Sequence, residues 1–322
     1  MRRQIDVAAG CLINAEGEVL IAQRPVGKIA AGQWEFPGGK IEFGETALQA
    51  LARELHEELG VTIRASRPLI RVQHDYSERS VLLDTWRVEA WDGTPHGREN
   101  QALAWVPPER LAEYPLLAAD HPIVSALQLP RHYAFTPANM TASAMIAALP
   151  SLPTASLLRL RQPQLDDASY AALAAQLAPR CSALGLLLML DCAPELSAEV
   201  GAAGWHASAK QLGALRERPV PATCWFAASV HDERELLQAR ELGVDFVVLG
   251  AICATPSHPD GVALGWSRFA ELTAQASMPV FGIGGVGPKD FAQLNAAYAQ
   301  GAAGISAYWS VASAGGVASP SP

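Results

Sequence analysis

Glu54, Glu57 and Glu58 fall three and four residues apart within the stretch GKIEFGETALQALARELHEELGV (39–61). At 3.6 residues per helical turn, these carboxylates share one face. Three carboxylates crowded together repel one another unless a cation sits among them. Oxygen-only donors select a hard ion, Mg2+ or Mn2+, over zinc. A charge run on a helix usually just faces water, but the surroundings here argue for a site. Phe36-Pro37-Gly38-Gly39 places a tight glycine turn ahead of the helix, where a backbone carbonyl can approach a metal, and Arg53 can reach back to Glu45.

The elements that must position these groups follow from the local pattern. A helix is predicted from about Thr46, its N-cap, to Leu59, with Gly60 stopping it at C′. Leu48, Leu51, Leu55 and Leu59 form a second face that can anchor it to a core. Residues 4–13, 18–24, 68–74 and 80–91 read as strands, with Asn14-Ala15-Glu16-Gly17 as a hairpin turn between the first two. A second helix begins near Asp120-His121-Pro122, with the proline at N1. Strands with inserted helices and no regular alternation imply a mixed α/β or α+β sandwich.

After Leu129-Pro130 the texture changes. Short apolar runs recur at 132–136, 157–161, 185–190, 203–206, 222–228, 244–249, 279–283 and 303–307, separated mostly by alanine-rich amphipathic stretches such as 167–178 and 232–242. Eight such runs in βα alternation are the count of a (β/α)8 barrel, though the short connections require some compact crossovers. The expected division is a sandwich over 1–130, a barrel over 131–312 and a disordered small-residue tail over 313–322.

A chain of 322 residues suits two domains. A net charge of −8 without a basic run argues against duplex nucleic acid as a partner, although a small anionic nucleotide remains accessible if bound metal supplies positive charge. Five cysteines without a C-x-x-C pair argue against both a disulfide framework and a zinc site. The start resembles neither a signal peptide nor a membrane span, so a cytoplasmic protein with no membrane partner is expected.

Residues 39–61 resemble the Nudix box, G-x5-E-x7-R-E-U-x-E-E-x-G-U with U aliphatic, at every fixed position: Gly39, Glu45, Arg53, Glu54, Leu55, Glu57, Glu58, Gly60 and Val61. The resemblance implies an α/β/α sandwich that catalyses substitution by water at a phosphorus of a nucleoside diphosphate linked to another moiety. It also implies Mg2+, or Mn2+, held by Glu54, Glu57, Glu58 and the Gly38 carbonyl, with Glu99 on a later loop completing the shell. Arg53 and Glu45 join the catalytic set, and the general base stays open between Glu54, Glu99 and another carboxylate. Beyond the box, Arg24, the segment Trp34 to Glu42, Tyr76 to Arg79, and Tyr114-Pro115 leading to Asp120-His121-Pro122-Ile123 resemble the MutT branch, which hydrolyses oxidised purine nucleoside triphosphates, above all 8-oxo-dGTP. That branch implies Phe36 lining the base pocket, with Arg24 and Arg79 approaching the sugar or base edge. Asp120 stands where MutT proteins commonly carry an asparagine that reads the purine edge. An aspartate there accepts from ring N–H groups and donates to O6 only when protonated; the alternative is a helix N-cap.

Residues 131–310 resemble the thiamine phosphate synthase and thiazole tautomerase (TenI-like) barrel. Arg159-Leu160-Arg161 stands for Q-L-R, Ser229-Val230-His231 for S-x-H, Val244 to Gly250 with Thr255-Pro256-Ser257 for A-D-Y-V-x-x-G…P-T-x-T, and Ile283-Gly284-Gly285-Val286 for I-G-G-I/V. The resemblance implies a phosphate cradle at Gly284 and Gly285 with Ser229. The departures are Pro163 for a lysine, Leu190-Asp191-Cys192 for N-D-R, Gln211 for a magnesium-binding aspartate and His258 for a lysine. A phosphate pocket without synthase activity is therefore expected. The alternative is a bifunctional protein whose barrel makes thiamine phosphate or acts as a tautomerase, with the hydrolase working on another diphosphate.

Overall fold

The computed structural model describes residues 3–25, 27–254 and 262–309; Thr255-Pro256-Ser257, His258 and the 313–322 tail lie outside the described residues. The N-terminal half runs β1 (Arg3–Leu12), β2 (Val19–Gln23), β3 (Trp34–Glu35), β4 (Gly38–Lys40), α1 (Ala47–Leu59), β5 (Thr62–Asp75), β6 (Arg79–Asp92), β7 (Leu103–Val106) and α2 (His121–Gln128). One sheet has the order β4-β1-β6-β5 and a second β3-β2-β7. Alternation along β1 decides the layering: Ala8 and Leu12 join the core under α1, while Ala9 and Cys11 join the core that α2 covers. The result is the α/β/α sandwich.

The Asn14 turn forms, with the Asn14 N–H donating to Glu18 O at 3.0 Å. It does not open a paired hairpin, however. After the single bridge Ile13↔Val19, β2 leaves for the second sheet, so β1 is free to pair in parallel with β6. On α1, Ala50 rather than Leu48 shares the core with Leu51, Leu55 and Leu59; Leu48, in the first turn, stays 38 % exposed. Gly10 allows this contact, because a Cβ there would stand 3.1 and 3.2 Å from the Leu51 and Leu55 side chains.

The C-terminal half continues with β8 (His132–Phe135), α3 (Ala142–Ala148), β9 (Leu157–Leu160), α4 (Asp167–Ala183), β10 (Leu187–Leu190), α5 (Glu195–Glu199), β11 (Gly204–Ala207), α6 (Ala209–Ala214), β12 (Trp225–Val230), α7 (Glu233–Glu241), β13 (Phe246–Leu249), α8 (Gly265–Ala276), β14 (Val280–Gly282), α9 (Phe291–Ala296) and β15 (Gly301–Gly304). The eight strands are all parallel and close into a barrel. Tyr133, Phe135, Met189, Phe246 and Phe281 fill its interior, while the outward residues pack beneath the helices. The last strand lies two residues earlier than the 303–307 run, over Gly301–Gly304. Crossovers as short as α5 explain how the barrel fits its length. Among the described residues no helix is long and apolar enough to cross a membrane.

Sandwich and barrel meet where β5 lies against α8 and α9. Buried Asp84 anchors this junction: it pairs with Arg71 at 2.8 Å and accepts from Tyr298 Oη and Trp86 Nε1, each at 2.7 Å. The Gln300 amide donates to the carbonyls of Ala126, Leu129 and Pro130 and so ties the connecting segment to the barrel. Replacing Tyr298 by Phe keeps the ring but removes a donor from a buried carboxylate. Denaturant unfolding is expected to lose about 1–2 kcal/mol; an unchanged midpoint would show that this hydroxyl does not brace the junction.

Candidate active site

The capping box of α1 is complete: Thr46 Oγ1 accepts from the Gln49 N–H at 3.3 Å, and Gln49 Oε1 accepts from the Thr46 N–H at 2.9 Å. Gly60 ends the helix in the left-handed region at φ 72°. Between these caps, Arg53 organises the acidic face. Its Nε and Nη2 grip Glu45 at 2.8 and 2.9 Å, Nη2 also donates to the Lys40 carbonyl at 3.1 Å, and Nη1 donates to Glu54 at 2.7 Å. Glu57 lies 3.6 Å from the same guanidinium and points outward, its side chain 59 % exposed. This fork holds Glu45 down at about 2.

Gly38 and Gly39, expected as a turn, instead form strand β4 against β1 and bring its backbone against this face. Gly38 has φ 148°, and a Cβ there would strike the Ala8 backbone; a Cβ at Gly39 would overlap the Glu54 carboxylate. The Gly38 N–H donates to Glu58 at 3.3 Å. A loop then folds over the helix C-terminus: the Arg98 N–H donates to Glu58 O at 2.9 Å and its guanidinium to His56 O at 2.9 Å. That brings Glu99 toward Glu58, with Lys28 as its ion-pair partner.

Burial first, then the charges of Glu54 and Glu99, push Glu58 up to about 7. Among the described residues no three acidic, His or Cys side chains converge into a ready metal cage. The expected ligands instead stand apart, because Arg53 holds Glu54, Lys28 holds Glu99, and the Gly38 N–H rather than its carbonyl meets Glu58. The donor set nevertheless fits a hard divalent ion: it is all oxygen, and Glu58, raised first by burial and then by the charges of Glu54 and Glu99, is a carboxylate that a cation would stabilise.

Beyond this face Phe36 is buried, and Arg24 is paired with Glu35. Arg79 sits at the start of β6 with its guanidinium 5.4 Å from the Tyr76 ring centre. Asp120 is 4 % exposed and stands at the N-cap position of α2, but its side chain makes no cap bond. Its Oδ2 has no hydrogen-bond partner among the described residues. Burial, then the charge of Glu35, holds its carboxyl well above the usual range, outweighing the Phe36 N–H and Arg24. Glu35 is not singled out by the sequence pattern; its signal is its place next to Phe36, paired with the arginine that follows β2.

In the barrel, Gly284 and Gly285 have φ of 94° and 71°, and Cβ atoms there would press on Ala251 and Cys253. Close packing on the neighbouring loop therefore requires both glycines. Ser229 lies on β12, 2.8 Å from His206. His231 points away and pairs with Glu235 at 2.9 Å.

The family profile described as "NUDIX domain" matches residues 8–126, and "Thiamine monophosphate synthase" matches residues 133–308. The N-terminal part is 42 % identical over 124 residues to the CTP pyrophosphohydrolase of Escherichia coli, covering 38 % of this chain and 91 % of that protein. It is 34 % identical over 126 residues to the 8-oxo-dGTP diphosphatase of the same organism, covering 39 % and 98 %. The barrel is 32 % identical over 153 residues to the thiamine biosynthesis bifunctional protein ThiM/ThiE of Symbiobacterium thermophilum, covering 47 % of this chain and 32 % of that protein.

Arg53→Lys keeps the charge but cannot hold Glu45, the Lys40 carbonyl and Glu54 at once. Titration with Mn2+ followed by electron paramagnetic resonance is expected to give an affinity about tenfold weaker or worse. Wild-type affinity would remove Arg53 from the positioning of the carboxylates.

Proposed function

Because the chain belongs to the Nudix family through its N-terminal part and to the thiamine monophosphate synthase family through its barrel, we propose that it is a Mg2+-dependent nucleoside triphosphate pyrophosphohydrolase, with 8-oxo-dGTP its foremost substrate. Water adds at phosphorus, the anhydride bond breaks, and nucleoside monophosphate and diphosphate leave. The carrying observation is the Arg53-centred face of α1 pressed against Gly38-Gly39. Glu54, Glu57, Glu58 and Glu99 would hold the ions, joined by the Gly38 carbonyl. Bound Mg2+ would neutralise phosphate charge and lower the pKa of the attacking water. Arg53 orients Glu54, and Glu45 anchors Arg53. The free thiols of all five cysteines support a cytoplasmic setting.

Asp120 supports a particular mode of base reading. A neutral carboxylic acid offers one donor beside one acceptor. That pattern complements O6 and N7–H of 8-oxoguanine, whereas unoxidised guanine presents two acceptors on the same edge. It also complements N3 and the amino group of cytosine. The likeness to a CTP pyrophosphohydrolase makes cytidine triphosphate the second reading. In the barrel, Ser229 with the Gly284-Gly285 turn would bind a phosphate group, without synthase activity.

A hydrolysis panel of 8-oxo-dGTP, dGTP, CTP and dCTP with Mg2+ tests the substrate. Turnover of 8-oxo-dGTP well above dGTP is expected, and dominance of CTP would install the second reading. Glu57→Gln should cost orders of magnitude in turnover with an unchanged circular dichroism spectrum; near-wild-type turnover would remove Glu57 from the site.

Asp120 also carries a stability signature. Its folded-state pKa is raised, so folding favours the protonated form, and its contribution is complete below the ordinary aspartate value and lost as pH rises toward the raised one. Asp120→Asn removes that loss, so the variant should gain on the wild type in urea unfolding at pH 8 relative to pH 4. An identical pH dependence in both proteins would contradict a neutral Asp120.

A further inference from the structure

A buried polar chain runs through the barrel to its mouth. The Tyr133 hydroxyl on β8 lies 2.8 Å from His206 Nδ1 on β11, and His206 Nε2 lies 2.8 Å from Ser229 Oγ on β12. Tyr133 and His206 are fully buried. Among the described residues His206 is the only side-chain partner of the Tyr133 hydroxyl. A buried hydroxyl hydrogen needs an acceptor, so Tyr133 donates to Nδ1, which puts the ring hydrogen on Nε2. Burial, with Arg159 nearby, holds His206 well below its ordinary value and keeps the ring neutral. His206 therefore donates to Ser229 Oγ, and Arg159 Nη1 approaches the same oxygen at 3.5 Å. With its lone pairs approached by two donors, Ser229 is left to turn its own hydrogen toward an acceptor entering the mouth. It is a donor here, not a nucleophile facing a base.

The barrel family implies magnesium at this mouth, and the side chains do not fit it. Both oxygens of Asp191 are engaged: Oδ2 accepts from Arg159 Nε at 3.1 Å and Oδ1 from the Tyr170 hydroxyl at 3.1 Å. Gln211 is neutral and committed, its Oε1 accepting from the Ser208 N–H and hydroxyl while Nε2 donates to Asp191 O. The positive charge is instead built in. Arg159 and Arg161 line a cavity of about 340 Å3 together with Asp191, Asp167, Tyr170, Ser208 and Gln211, so each arginine is balanced by one carboxylate and Asp167 sits at the rim as the first residue of α4. A guanidinium carries five N–H donors, so Arg159 keeps free donors after meeting Asp191 and Ser229.

We infer that the barrel mouth is a metal-independent oxyanion site, in which Arg159 supplies the charge and Ser229, oriented through Tyr133 and His206, supplies a directed hydrogen bond to the phosphate group of a small molecule. The inference rests on the phosphate-pocket reading of the barrel and specifies its donors. Tyr133 and His206 are positioning residues, since neither reaches solvent.

Calorimetric titration of the full chain with inorganic phosphate tests it, once in EDTA and once with Mg2+. Ser229-dependent binding is expected in both, with Kd unchanged within about twofold. Ser229→Ala should weaken it by about tenfold or more, Ser229→Thr should retain it, and Arg159→Gln should abolish it. The 15N shifts of His206 should report a neutral ring with hydrogen on Nε2, a signature lost in Tyr133→Phe together with part of the affinity. Ser229-dependent binding that appears only with Mg2+ would overturn the inference and leave the phosphate pocket standing. No binding in either condition would overturn both. Binding indifferent to Ser229→Ala and Arg159→Gln would place the anion elsewhere and overturn the site.

Discussion

Arg53 is the contact on which the hydrolase site depends. One guanidinium fixes the segment before α1 through Glu45, the edge of β4 through the Lys40 carbonyl, and the carboxylate of Glu54. A planar fork with five donors can do this; a point charge on a flexible stem cannot. The surrounding elements supply the closeness that the fork requires. Gly10 lets α1 settle on β1, Gly39 leaves room for the Glu54 carboxylate, and Gly60 stops the helix so that the 96–101 loop can fold back and bring Glu99 near Glu58.

The two halves of the chain solve the same electrostatic problem in opposite ways. In the sandwich, Glu58 is raised by burial and by its neighbours and, among the described residues, has no cationic partner, while Glu54 and Glu99 are paired with Arg53 and Lys28. Such a site draws in a divalent ion. In the barrel, Asp191 is met by Arg159 and Tyr170, and Arg159 keeps N–H donors beyond that pair. That site draws in an anion directly. Asp84 belongs to neither site: it spends its charge on Arg71 and Tyr298 and fastens the sandwich to the barrel helices.

Much of this was legible in the residues. The spacing of Glu54, Glu57 and Glu58, the N-cap Thr46 and the stop at Gly60 are local features, and local features survive folding. Eight apolar runs foreshadowed eight barrel strands because parallel strands are buried on both faces and read as continuous apolar stretches. The parting of β1 and β2 was not legible, since the Asn14 turn carries the same signal whether or not the strands remain paired. The short strands β3, β4 and β7 are held by their neighbours rather than by pattern. Asp120 shows the limit most clearly. Its position could suggest a cap or a base reader, and the missing side-chain cap bond and the unpartnered buried oxygen are features of the fold that no sequence pattern carries. The Tyr133–His206–Ser229 chain joins three strands and has no sequence spacing to betray it.

The central claim is that the acidic face of α1 cuts a phosphoric anhydride with the help of divalent ions. Product analysis tests it most directly: incubate the full chain with 8-oxo-dGTP and resolve nucleoside monophosphate, diphosphate and orthophosphate as Mg2+ is titrated against EDTA. One diphosphate is expected for each monophosphate formed, rising with free Mg2+ and absent in EDTA. Stepwise release of orthophosphate, or turnover that persists in EDTA, would contradict it.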